Sequence, residues 1–241
     1  LGGAIPFLYF VRPNSSTLRL GRPLVDVRAL GRVCVNGSSE LVSNLSMSLV
    51  SMVYNFQLMV YIGPDGVAIY GVIQYVAWIA VSLLMGFTVG SSPIISYHYG
   101  AKDPAELKGL FRTCLGVMVA GGALITVLTH LFAHPLAAVF VGYDPVLCEM
   151  TVSALGEYSL AFIFVGVSIF GSAFFTALNN GLVSALISFL RTLVFECAAV
   201  MFLPAIIGVD GIWLSIVVAE IASMFLTGGF LVGLRKHYDY A

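Results

Sequence analysis

Glu40, Asn44, Ser48, Ser51 and Asn55 follow one another at steps of 4, 4, 3 and 4 residues. At about 3.6 residues per turn, those steps hold all five on one face of an α-helix. Leu41, Leu45, Leu49, Val50 and Val53 take the other faces. The polar face offers one carboxylate followed by a ladder of amides and hydroxyls. A carboxylate in a hydrophobic span costs a few kcal/mol on insertion scales, so such an acid faces a cavity or is compensated by a proton, a cation or an ion pair. The serines have a plainer role open to them, since Ser, Thr and Asn also mediate close packing between membrane helices.

A second stripe, Tyr70, Gln74, Trp78 and Ser82, repeats the pattern one span later. Tyr70 and Gln74 are candidate hydrogen-bonding groups in a shared interior. Trp78 suits either a cation–π contact or ordinary packing. A third stripe holds Glu157, Phe164, Ser168, Ser172 and Thr176. Three further charges fall within apolar stretches: Arg191, Glu196 and Glu220. Arg191 and Glu196 are five apart, roughly 140° around an α-helix, and are not expected to pair. Glu220, on the next antiparallel helix, is the expected structural partner of Arg191.

These groups need helices to carry them across a bilayer, and the composition supplies them. Of 241 residues, 59% are hydrophobic and 10% charged, with a mean hydropathy of +1.00. Apolar stretches of about 20 residues, enough to cross the hydrocarbon core, recur between short polar breaks. Six spans are expected at 37–61, 67–92, 110–132, 152–178, 183–206 and 211–234. The breaks are "GPDG", "GAKDP", "HPLAAVFVGYDP", "NNG" and "GVDG", all rich in helix-stopping residues. The expected fold is all-α and integral to the membrane, a six-helix bundle over 37–234 with a tail at 235–241. Residues 1–11 read as the tail of a preceding span, and 12–36 as a linker with an interfacial helix.

Ten of the eleven Lys and Arg residues flank the spans on one side. Arg12, Arg19, Arg22, Arg28 and Arg32 precede the first span; Lys102, Lys108 and Arg112 lie between the second and third; Arg235 and Lys236 follow the sixth. Such asymmetry puts both ends of the unit in the cytoplasm of a cell membrane. A net charge of −1 gives no reason to expect nucleic acid. Cys34, Cys114, Cys148 and Cys197 stand alone and read as packing residues. His98, His130, His134 and His237 lack a second ligand at metal spacing. There is no phosphate-binding glycine loop and no nucleophile constellation, so no enzyme and no resident cofactor are expected.

Two longer stretches carry a family resemblance. "GVAIYGVIQYVAWIAVSLLMGFTVGSSPIISYHYGAKDPAELK" and "ISFLRTLVFECAAVMFLPAIIGVDGIWLSIVVAE" resemble the multidrug and toxic compound extrusion family. The resemblance extends over essentially the whole chain and implies the second of two six-helix lobes, with helices seven to twelve. It implies a twelve-helix protein whose N-terminal lobe precedes this chain. It also implies export of cationic or amphipathic drugs in exchange for protons or sodium by alternating access. On that resemblance Glu40 falls where many members carry a seventh-helix glutamate. Asn44, Asn55, Gln74 and Tyr70 would line the same coupling-ion and substrate cavity. Where some members place an aspartate and a tyrosine, this chain has Ser168 and Phe164, so that sodium site is incomplete here. A lipid-linked saccharide flippase of the same superfamily and a non-transporting membrane scaffold are the rival expectations.

Overall fold

The computed structural model describes residues 27–240, with side chains described at 27, 30, 31 and 45–240. The tail and most of the linker expected at 1–36 lie outside the described residues. Cys34 and the side chains of Glu40 and Asn44 lie outside them too. The chain divides into two compact units, residues 1–40 and 41–241. The packing that follows is that of the second.

Every described element is helical: α1 Val27–Tyr61, α2 Pro64–Gly100, α3 Pro104–Leu131, α4 Ala133–Val141, α5 Pro145–Ser159, α6 Phe162–Ala177, α7 Gly181–Phe189, a π-helical turn Leu190–Glu196, α8 Cys197–Ile207, α9 Val209–Gly233 and α10 Arg235–Tyr238. Local chemistry sets the starts. Pro64, Pro104 and Pro145 open their helices, where a missing N–H costs nothing. The Asp103 carboxylate accepts from Glu106 N at 3.2 Å, Asp144 from Val146 N at 2.9 Å, and Asn180 Oδ1 from Val183 N at 3.2 Å. Gly63 and Gly208 sit at φ 90° and 70°, a left-handed conformation in which a side chain would be strained.

Four helical stretches are long and apolar enough to cross a bilayer: Pro64–Gly100, Pro104–Leu131, Gly181–Ile207 and Val209–Gly233. The pair α5 and α6, bent by 44°, makes a fifth, and Leu45–Tyr61 is a shorter apolar stretch. The expected single helix at 152–178 is therefore broken. Its cause lies in the hydrogen bonds around Ser159. Thr126 Oγ1 of α3 donates to the Ser159 carbonyl at 2.9 Å. The Ile163 N–H turns instead to Leu160 O at 3.4 Å. A neighbour's hydroxyl has entered the ladder, a recognised cause of sharp kinks.

The break at 134–145 also differs from a plain loop, because it winds a short helix, α4. Ala133, Ala137 and Val141 recur every four residues and are all buried, so the segment has an apolar face to pack against α5.

At the centre of the bundle, α6 packs against α3, α2, α7 and α9. Its approach to α3 depends on two glycines facing in opposite directions. A Cβ at Gly122 would run into the Phe162 carbonyl, and one at Gly166 would lie 2.7 Å from Met118 O. Small residues at such crossings let backbones meet in a solvent that gives no hydrophobic push between helices. Toward the other end of α6, Phe170, Phe174, Phe111 and Tyr240 form an aromatic cluster, with Phe111 and Phe174 centroids 5.1 Å apart.

Candidate functional site

The second polar stripe is only half inward. Tyr70 is buried and stacks on Tyr54 of α1, centroids 4.9 Å apart and planes 14° from parallel. Gln74 Nε2 donates to Tyr70 Oη. Trp78 is 60% exposed and meets Tyr75 edge-on at 5.8 Å, so within this unit it lies outside the polar interior. Ser82 is exposed as well.

On α1 the described part of the stripe turns partly onto its own helix. Asn55 Nδ2 donates to Ser51 O at 2.8 Å. Asn55 and Ser51 are half-buried and Ser48 is exposed. The side chains of Glu40 and Asn44 lie outside the described residues.

The third stripe divides by role. Ser172 Oγ lies 2.9 Å from the hydroxyls of both Ser184 and Ser188 on α7, and Thr176 Oγ1 donates to Ser184 Oγ at 2.7 Å. That hydroxyl network ties α6 to α7. Ser168 is buried and its Oγ has no hydrogen-bond partner. Glu157 is half-buried, with an unpartnered Oε2.

The densest charge lies where α9 packs on the π turn. Arg191 Nε and Nη2 both reach Glu220 Oε1 at 2.7 Å. Glu220 is 2% exposed, and its second oxygen, Oε2, is buried without a partner. Glu196 lies within electrostatic reach of Glu220 and Arg191. Tyr54, Tyr70 and Tyr158 are in reach of Glu196 too. Five elements thus converge on one polar layer of two carboxylates, one guanidinium and three phenols, in which Glu220 and the phenols are buried and Arg191 and Glu196 half-buried.

The 140° expected between Arg191 and Glu196 assumed an α-helix. In a π turn hydrogen bonds run from i to i+5, so residues five apart come round to nearly the same face. The winding brings Glu196 toward the Arg191–Glu220 pair, and periodicity at 3.6 hides this.

Gln57 also escapes a reading by stripes. Its Nε2 donates to Val200 O at 3.3 Å on α8. That carbonyl is left free because residue 204, four positions on, is proline. Pro204 in the sequence is enough to flag an orphan acceptor, though not the residue that fills it.

Cys114 and Cys148 are buried and Cys197 half-buried, all as free thiols. Among the described residues no group of three His, Cys, Asp or Glu side chains could hold a metal ion. His130 Nδ1 instead meets Ser159 Oγ at 3.0 Å and Thr126 O at 3.1 Å beside the α5–α6 bend.

Comparison with known proteins sets this geometry in a family. The MatE family model matches residues 41–200. Over 115 residues the chain is 27% identical to an uncharacterised 21 kDa protein of the iaaL 5′ region of Pseudomonas savastanoi, covering 48% of this chain and 37% of that protein. Its fold matches the inward-facing conformation of a multidrug resistance MATE family transporter of the MOP superfamily, with TM-score 0.82, 21% identity, and 97% of this chain covering 54% of that one. The outward-facing conformation of such a transporter gives TM-score 0.81 and 20% identity, with 98% and 52% covered. A MOP superfamily transporter from Pyrococcus furiosus gives TM-score 0.79 and 19% identity, with 93% and 50% covered. The chain spans about half the length of these solved proteins. An all-helical bundle with several bilayer-length apolar helices, matched by the family model over most of its length, is a multi-pass membrane protein, and the chain belongs to the MatE family.

Proposed function

We propose that the protein is a cation-coupled antiporter, driven by protons or sodium, that exports organic cations and other amphipathic xenobiotics by alternating access. One observation carries the reading. The chain fits half of an inward-facing and half of an outward-facing transporter equally well, TM-scores 0.82 and 0.81. A lobe whose internal packing is common to both states moves as a body, and the exchange of access then comes from its motion against a second lobe.

Glu40 is the coupling group in this proposal. One carboxylate in a low-dielectric wall cannot favourably neutralise a coupling ion and a cationic drug together, so the two compete. Asn44, Asn55, Gln74 and Tyr70 supply polar contacts along the cavity. The lipid bilayer and an N-terminal lobe complete the machine, with both ends of the six-span unit in the cytoplasm. An anionic lipid-linked saccharide would want several cavity cations. Arg191, the cation set midway in an apolar stretch among the described residues, is already engaged by Glu220, which argues against a flippase.

The test is ethidium or fluoroquinolone efflux by the full-length protein carrying Glu40→Gln. Loss of efflux with normal membrane expression is expected. Wild-type efflux by that variant would remove Glu40 from the mechanism. Proteoliposomes showing no drug-dependent ion flux would favour the scaffold reading instead.

A further inference from the structure

The polar layer around Arg191 does not balance its own charge. It holds two carboxylates, Glu196 and Glu220, against one guanidinium. The groups facing them are the Tyr54 hydroxyl of α1, Tyr70 of α2, Tyr158 of α5 and the Cys197 thiol of α8. None of these carries a positive charge. Arg191 spends both its contacts on Glu220 Oε1, and Glu220 Oε2 remains buried and unpartnered. Glu220 thus meets its counter-charge through Oε1 alone, and Glu196, half-buried, makes no ion pair among the described residues. A carboxylate oxygen withdrawn from water without such a partner is expensive enough to take up a cation or a proton.

The deficit continues along α9. Ser223 and Thr227 follow Glu220 at steps of three and four, on one helical face, and both are 0% exposed. Neither hydroxyl oxygen has a hydrogen-bond partner. Ser168 of α6 belongs to the same column. A Cβ at Gly171 would strike the Thr227 methyl, Phe175 meets Phe230, and Asn180 Nδ2 donates to Tyr238 Oη at 2.9 Å. These pairs advance together, so α6 and α9 run in the same direction. Ser168, three residues before Gly171, is thereby set level with Ser223, four before Thr227. Ser168 Oγ is likewise buried and unpartnered. Buried hydroxyls without partners are rare enough to need a reason. Here they form a column of buried oxygens from Glu220 toward the end of α9 that leads to Arg235 and Lys236.

We propose that Glu220, held by Arg191, and Glu196 beside them form a cation-exchange site of this chain, made of residues other than Glu40, which takes up one monovalent cation, a proton or sodium, along the column of Ser168, Ser223 and Thr227. Carboxylate and hydroxyl oxygens suit these hard ions and not a thiolate- or imidazole-seeking metal. The π turn is part of the site, because only its wide winding brings Glu196 round toward Arg191. Transport gives the site its purpose, so the proposal rests on the transport reading for its role, although binding can be measured without transport.

The experiment uses the full-length protein in detergent with Glu40→Gln throughout, so that the other proposed site is silent. Pyranine reads protons released on a jump from acid to alkaline pH in choline chloride, and radioactive sodium reads cation binding at alkaline pH. Adding Glu196→Gln is expected to remove one equivalent of one of these per protein. Loss of proton release alone assigns a proton, and loss of bound sodium assigns sodium. Glu196→Asp is expected to restore it, which a merely structural residue would not do. Unchanged proton release and unchanged sodium binding in the Glu196→Gln protein would overturn the proposal. Should that variant not fold, an infrared difference spectrum of the Glu40→Gln protein serves. A buried carboxylic-acid band that vanishes at alkaline pH or on sodium addition supports the site, and its absence overturns it. Failure of wild-type drug efflux would sink the transport reading while leaving these binding readouts intact.

Discussion

Gln57 Nε2 donates across the bundle to the Val200 carbonyl at 3.3 Å, the acceptor that Pro204 leaves without an in-helix donor. A side chain on α1 thereby repairs the backbone of α8. Gln57→Leu is expected to cost about 1–2 kcal/mol, the penalty for an unsatisfied buried acceptor. Pro204→Ala restores the missing N–H, so Gln57→Leu should cost much less in that background. Thermal unfolding in detergent by a thiol-reactive dye gives both values, and equal costs would break the link between the two residues.

Arg191 and Glu220 give a sharper asymmetry. Glu220 is 2% exposed and Arg191 is its one ion-pair partner among the described residues. Arg191→Leu leaves a buried carboxylate and should lose about 3–5 kcal/mol. The double variant Arg191→Leu, Glu220→Leu removes both charges and should recover most of that loss. A double variant no more stable than the single would show that the pair is not a unit.

Gly166 sits against the Met118 carbonyl, where an added Cβ would lie 2.7 Å away. Gly166→Val forces α3 and α6 apart and is expected to cost about 1–3 kcal/mol by overpacking. Gly116 of α3 has open space around it, so Gly116→Ala is the control. Comparable melting temperatures for the two variants would show that the crossing is looser than its geometry.

Tyr240 lies beyond the last span and donates from Oη to Leu231 O at 2.7 Å, satisfying a carbonyl in the final turn of α9. Burial first, then Tyr238, pushes its pKa up from 10.0 to about 12. A raised folded pKa means the folded state holds its proton longer than the unfolded chain. The stability it contributes is full below pH 10 and is lost as pH rises toward about 12. Tyr240→Phe should therefore cost about 1 kcal/mol near neutrality and lose the component of the tyrosinate absorbance that titrates at about 12. An unchanged titration curve would contradict the buried setting.

Much of this architecture could be read ahead of the coordinates because membrane helices advertise themselves. Turn residues at 63–66, 100–104, 179–181 and 208–211 fall at real helix junctions, since Pro, Gly and the Asp and Asn caps act locally. The Arg191–Glu220 contact follows from a short turn and antiparallel neighbours, again local information. What escaped depends on partners distant in sequence or on altered winding. The bend after Ser159 is made by a hydroxyl from Thr126 on another helix. Gln57 finds its acceptor 143 residues away. Trp78 follows the spacing of Tyr70 and Gln74 yet faces outward, because eight residues at 100° each drift 80° around the helix.

The π turn has a consequence for comparing this chain with its relatives. Between Leu190 and Glu196 the helix holds a residue more than an α-helical ladder needs. It is in effect an insertion hidden inside a continuous span. Residues on either side belong to two separate α-helical phases. Counting by fixed periodicity from Ser184 or Ser188 into Val200 and Pro204 assigns the later residues to the wrong face by about one position. A relative lacking that residue would keep Arg191 and Glu220 in place yet swing its counterpart of Glu196 away from them. Aligning such a pair correctly requires a gap where neither sequence shows a loop.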